Sequence, residues 1–306
     1  MNSATSGQVF RKHMAARAAL GLLALAGGCA MATEGGGSTY SPGVENFLVG
    51  AVPPPGLYVL EYATVYRATR LNDKAGNAIP IPGFKVSAIA AATRLVWSTN
   101  KPLLGGTLVM HAIFPIVDLN IEAAGANQHR TGLGDITAGF GTAWHHSPQL
   151  HSVLDVDFVL PTGSYGRANL ANLGRNYVSI QPLYALSYID PKGFNGDFKA
   201  TFNFNRTNED TGYRSGNEFI LDYSAGWGLG NGWTIGAGGY WYEQFTDDKV
   251  NGATVPDARA RGFAIGPSVK YDNGKGWFLT AKLQRETSAR NRPQGTAFWL
   301  KTLISF

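Results

Sequence analysis

Apolar and polar side chains alternate with a period of two along most of this chain. Trp277, Leu279, Ala281 and Leu283 oppose Thr280, Lys282, Gln284 and Glu286. Phe198, Ala200, Phe202 and Phe204 oppose Lys199, Thr201, Asn203 and Asn205, and Leu154, Val156, Phe158 and Leu160 oppose Asp155 and Asp157. The final stretch, Gly295 to Phe306, keeps the same rhythm. A period of two marks strands with two unlike faces. The pattern predicts twelve strands, near 57–68, 83–98, 105–117, 132–145, 150–160, 175–189, 196–207, 217–229, 232–246, 259–271, 276–287 and 295–306. No stretch after residue 32 holds a helical period for long.

Alternation alone does not separate a soluble sandwich from a barrel. The connections do. Long segments (69–82, 118–131, 161–174, 208–216, 247–258, 288–294) alternate with short ones (99–104, 146–149, 190–195, 230–231, 272–275). The short ones carry hairpin residues: Asn231-Gly232, Asp272-Asn273-Gly274 and Asp190-Pro191-Lys192-Gly193. Trp97, Trp144, Trp227, Trp233 and Trp277 all fall near the short turns, as a girdle at a polar–apolar boundary would place them. The prediction is an all-β fold: a single antiparallel transmembrane β-barrel of about 12 strands over 57–306, an up-and-down meander with apolar faces outward. Its last strand resembles those by which bacterial outer-membrane barrels are handed to their assembly machinery, terminal Phe306 included. Short turns and both termini are then expected in the periplasm.

Composition agrees. There are 39 Gly, 16 Phe, 13 Tyr and 7 Trp with 15% charged residues, which suits many strands and tight turns. At the N-terminus, Arg11, Lys12 and Arg17 precede an apolar run, Ala18 to Ala26, and then Ala30-Met31-Ala32. That reads as a cleavable signal peptide over 1–32, cut after Ala32; a lipidated Cys29 is the competing reading. The formal net charge of +5 falls to about +2 without the three leader cations, too little to imply nucleic acid. Residues 33–56, rich in Gly, Ser and Pro around Phe47-Leu48-Val49, read as a linker or a short plug in the barrel mouth.

Polar strand positions opposite the apolar faces are candidate bore-lining groups: Glu61, Arg67, Asp155, Asp157, Lys199, Asn203, Asn205, Asp222, Lys270, Lys282 and Glu286. Asp155 and Asp157 share a face, so a Lys or Arg from a neighbouring strand is expected beside them. Tyr177, Tyr240 and Tyr242 are candidate ring-stacking groups. His145, His146 and His151 flank a turn at Ser147-Pro148 and His111 stands alone in the third strand. Without a cysteine partner or an H-E-x-x-H run, no metal or other cofactor is expected. The glycines around 132–134 and 226–232 lack a phosphate-binding pattern. Ser164 and Ser215 lie in no G-x-S-x-G, so no catalytic residue is assigned.

A series of motifs resembles one family, the outer-membrane proteins assigned to the meta-cleavage pathway of phenol degradation. It runs through Tyr40-Ser41-Pro42-Gly43, Pro53-Pro54-Pro55-Gly56, Gly132-Leu133-Gly134-Asp135, Leu160-Pro161-Thr162-Gly163-Ser164-Tyr165 and Gly174-Arg175-Asn176-Tyr177. It continues through Asn203-Phe204-Asn205, Thr211 to Phe219, Gln244 with Asp247-Asp248, Ile265-Gly266-Pro267 and Asn291-Arg292-Pro293-Gln294-Gly295. The resemblance implies an outer-membrane barrel, encoded in many cases beside catabolic genes for aromatic compounds and supposed to admit them, not an enzyme. The resulting expectation is a channel in outer-membrane lipid for small hydrophobic or aromatic solutes, with loops 118–131 and 247–258 setting discrimination. The alternative is a plugged structural or binding barrel whose long loops meet a partner.

Overall fold

A computed structural model describes residues 32–305. The expected signal sequence, Cys29 and the terminal Phe306 lie outside the described residues, apart from Ala32. The strands are β1 (Gly56–Leu71), β2 (Lys85–Leu103), β3 (Gly106–Ala123), β4 (Ala126–Leu133), β5 (Ile136–His145), β6 (Leu150–Leu160), β7 (Ser179–Tyr188), β8 (Phe194–Asn205), β9 (Tyr213–Arg214), β10 (Glu218–Gly228), β11 (Trp233–Gln244), β12 (Lys249–Val250), β13 (Ala253–Thr254), β14 (Arg261–Asp272), β15 (Phe278–Arg290) and β16 (Pro293–Ser305). Twelve of them, all but β4, β9, β12 and β13, close into an antiparallel ring of sequential neighbours. The ring shuts where β1 meets β16, with Tyr58 opposite Ser305 and Leu71 opposite Pro293. Closure pairs each of the twelve ring strands on both sides, which is what a sheet in hydrocarbon requires.

The barrel is apolar outside and polar inside. Ile89, Trp97, Ile116, Phe140, Leu154, Ile235, Ile265, Leu283 and Phe298 are exposed, while Asp155, Lys199, Asn203, Asp222, Lys282 and Lys301 are buried. A belt of exposed apolar groups on this scale has no place in water and fits hydrocarbon. Leu283→Arg, in mid-strand on the outward face and 48% exposed, is expected to cost about 2–4 kcal/mol. Urea unfolding in lipid vesicles checks this; an unchanged midpoint would contradict the outward placement.

Two expected loops are strands. The stretch 118–131 continues β3 into β4 as a projecting hairpin turning at Ala124-Gly125, whose φ angles are 48° and 81°. Its polar residues are those of a strand standing beyond the apolar belt. The stretch 288–294 is likewise taken up by β15 and β16, with only Asn291-Arg292 between them and Asn291 at φ 52°. The expected turn at 99–104 tightens to Leu104-Gly105. Trp97 still marks that rim, because it pairs with Leu57 at the start of β1.

Candidate functional site

Residues 32–55 run through the bore from the long-loop end to the short-turn end. At the long-loop end the Thr33 amide donates to Asp248 at 2.9 Å and the Glu34 amide to the Ser215 hydroxyl at 3.1 Å. Burial raises the Asp248 carboxyl above its ordinary range, against the lowering effect of Tyr213, Gly216, Thr33 and Gln244, which all donate to it. Lower down, Ser38 donates to Glu218 at 2.8 Å and the Tyr40 hydroxyl to Asp222 at 2.6 Å. Asp222 also takes the amides of Gly43 at 2.7 Å and Glu45 at 3.1 Å. At the short-turn end the Leu48 amide donates to Asp197 and the Gly50 amide to the Ser187 hydroxyl, both at 2.8 Å. Gly50 lies so close to β7 that a Cβ there would sit 2.8 Å from the Ser187 nitrogen.

Glu45 is the centre of this packing. Its carboxylate, buried with the rest of its side chain, meets Lys301 at 3.0 Å, Arg94 at 3.5 Å and the Tyr62 hydroxyl at 3.1 Å. Lys301 also donates to the Phe47 carbonyl at 2.9 Å, and Lys282 donates to the carbonyls of Gly43 and Glu45 at 2.6 and 2.7 Å. Cations from β2, β15 and β16 thus clamp one bend of the segment. Apolar layers lie above and below it. Tyr40 and Val44 pack with Ile220, Tyr240, Tyr242 and Ala264 toward the long loops. Val49 and Val52 pack with Val96, Val109, Val153 and Ala185 toward the short turns.

Among the candidate bore residues, Asp155, Asp157, Lys199, Asn203, Asn205, Asp222, Lys270, Lys282 and Glu286 are buried as inward groups. Glu61 and Arg67 are not among them. They share the outward register of β1 with the exposed Leu57 and Val65, while Tyr58, Tyr62 and Tyr66 face in. β1 inverts the usual rule because its inward face is aromatic, so charge was a poor guide to direction there. Glu61 instead accepts a hydrogen bond from Thr93, its cross-strand neighbour on the outer face, at 2.9 Å.

Tyr240 and Tyr242 point inward and donate to Glu286 and Glu218, with the Arg292 guanidinium 5.7 and 4.6 Å from their rings. Tyr177 lies in the loop before β7 and bonds Ser215. All three are covered, Tyr240 and Tyr242 with a share of the cover coming from the N-terminal segment. The loop 245–260 reaches the segment through Asp248, whereas the 118–131 hairpin is tied to the 161–178 loop by Gln128 and Arg130. At the short turn His145 and His151 touch at 2.7 Å, exposed. His111 is not alone. Its Nε2 lies 2.8 Å from Asp157 and 3.2 Å from Asp155, so a histidine, not the expected Lys or Arg, meets the two carboxylates among the described residues. Sequence reasoning also passed over Glu45, Arg94 and Lys301; the spacing of a non-strand segment gives no signal for which wall residues it will meet.

The profile of a family described as "Putative MetA-pathway of phenol degradation" matches residues 68–302. The chain belongs to this family. Its fold is that of an outer-membrane β-barrel: the COG4313 outer membrane channel from Pseudomonas putida F1 superposes with a TM-score of 0.72 at 17% identity, over 84% of this chain and 97% of that one. The KdgM porin (TM-score 0.40, 9% identity, 81% and 99% covered) and the CymD monoaromatic hydrocarbon channel (0.43, 8%, 83% and 89%) are more distant likenesses that carry no argument about this chain. No curated protein matches it.

Proposed function

We propose that this protein is an outer-membrane channel for small hydrophobic or aromatic compounds, with its bore closed at rest by residues 32–55. The observation that carries this reading is the filling itself. It is a single tethered segment held to the wall by hydrogen bonds and ion pairs, so it can withdraw with the ring of strands intact. Withdrawal uncovers Tyr240 and Tyr242 at the long-loop mouth, flat rings beside the Arg292 cation and the Glu218 carboxylate. Such a layer stacks an aromatic ring while solvating a hydroxyl or carboxylate. The buried inward charges, mixed in sign, give no strong preference for anions or cations.

In this reading the short turns face the periplasm and the strand ending at Phe306 presents the chain to the assembly machinery. A mature chain cut after Ala32 then starts at the outer mouth, because Thr33 is bonded among the long loops; only the C-terminal end lies with the short turns. The full bore also favours a second reading, a permanently plugged barrel whose loops meet a partner. Uptake of a labelled monoaromatic acid by cells with and without the protein separates the two. Several-fold faster uptake with the protein supports the channel, and equal rates in both strains would leave the plugged barrel.

A further inference from the structure

We propose that His111, Asp155 and Asp157 form a binding site for a divalent first-row transition cation, of which Zn²⁺ is the representative, on the inner wall of the barrel. The three donors come from β3 and β6, which flank β5, and they are brought together by that strand's small residues. His111 pairs with Gly139, and Gly139 pairs with Asp157, so all three share one row of the sheet. Gly141, one inward position along, pairs with Asp155. A Cβ on Gly139 would lie 2.0 Å from the Asp157 carboxylate and 2.6 Å from His111 Nε2, and one on Gly141 would lie 2.6 Å from the Asp155 Cα. Gly139 keeps open the space in which the imidazole and the Asp157 carboxylate converge, and Gly141 lets the β6 backbone at Leu154-Asp155 come close.

The convergence has the dimensions of a coordination shell. Nε2 lies 2.8 and 3.2 Å from the two carboxylate oxygens, and one ligand atom from each residue falls within 4.8 Å of the others. Bonds of about 2.0–2.2 Å to a shared ion put neighbouring donors about 3–3.4 Å apart. The contacts are short but lack the alignment of hydrogen bonds. Nε2, Nδ1, Asp157 Oδ1 and Asp155 Oδ1 all lack a hydrogen-bond partner although they are buried, and the His111 side chain is wholly inaccessible. Nε2 and Asp157 Oδ1 are close in distance yet misaligned for a proton between them, as two donors to a third atom would be. One nitrogen and two carboxylates suit borderline divalent metals, and the two negative charges match a 2+ ion. The exposed carboxylate-only sites favoured by Ca²⁺ and Mg²⁺ look different: more oxygens, more water, no imidazole. This assignment does not depend on the transport reading.

The test is calorimetric titration of the detergent-solubilised full-length barrel, without a histidine tag, with Zn²⁺ after chelator treatment. His145, His146 and His151 offer a second, exposed cluster, so the titration is run in the H145A/H146A/H151A background. One equivalent is expected to bind there. D157N, which keeps the shape of the side chain, and G139A, which fills the space, are each expected to weaken it by more than the roughly 10–100-fold that loss of a supporting partner costs. Heat-modifiable gel mobility confirms that each variant is a closed barrel. No Zn²⁺ binding in the triple background overturns the proposal, and so does binding that folded D157N and G139A leave unchanged.

Discussion

Deleting residues 35–50 is expected to raise single-channel conductance by roughly tenfold or more. In the intact chain those residues carry the Tyr40, Glu45 and Phe47 side chains and much of the backbone that occupies the bore, bonded in turn to Glu218, Asp222, Lys282, Lys301 and Asp197. Without them the wall groups face one another across a water-filled space, and all of them tolerate hydration better than burial. The ring itself is held by strand pairing that the deletion leaves in place, so the variant should fold. Conductance equal to that of the intact protein, in a barrel whose folding is confirmed by gel mobility, would show that the segment does not close the passage.

Glu45→Ala is expected to cost about 3–5 kcal/mol, because it leaves the buried Lys301 and the half-buried Arg94 without their carboxylate. Lys301→Ala should be costly for the converse reason. The two together should cost less than their sum, since Lys301 is then no longer stranded and only Arg94 is left without its carboxylate. Urea unfolding of the single and double variants in lipid vesicles gives the coupling. Strictly additive losses would mean that Glu45 and Lys301 do not meet in the folded protein.

The barrel was legible because its two faces live in different solvents, and period-two alternation records that difference strand by strand. Eleven of the expected strands lie within a few residues of their observed positions; the fourth, expected over 132–145, starts at Ile136 as β5, its first two residues ending β4 instead. Failures came where the rule of apolar outward and polar inward lapses. β1 turns Tyr58, Tyr62 and Tyr66 inward and sends Glu61 and Arg67 out. Beyond the belt, polar strand residues in 118–131 looked like loop. The bore was harder to read. Sequence shows that Asp155 and Asp157 share a face, but only closure and register bring His111 to them across Gly139. The meeting of Glu45 with Lys301 spans 256 residues, and no local pattern encodes it.

A disulfide between Leu48→Cys and Asp197→Cys tests most directly whether the segment lies in the bore. The Leu48 amide donates to the Asp197 carboxylate at 2.8 Å, which places two residues that both already carry a Cβ within bridging reach. The pair should oxidise during assembly in the periplasm and run as an intramolecularly bridged, folded barrel on gels, while neither single variant does. Reduced cysteines at both positions in a barrel that is otherwise closed would contradict the account.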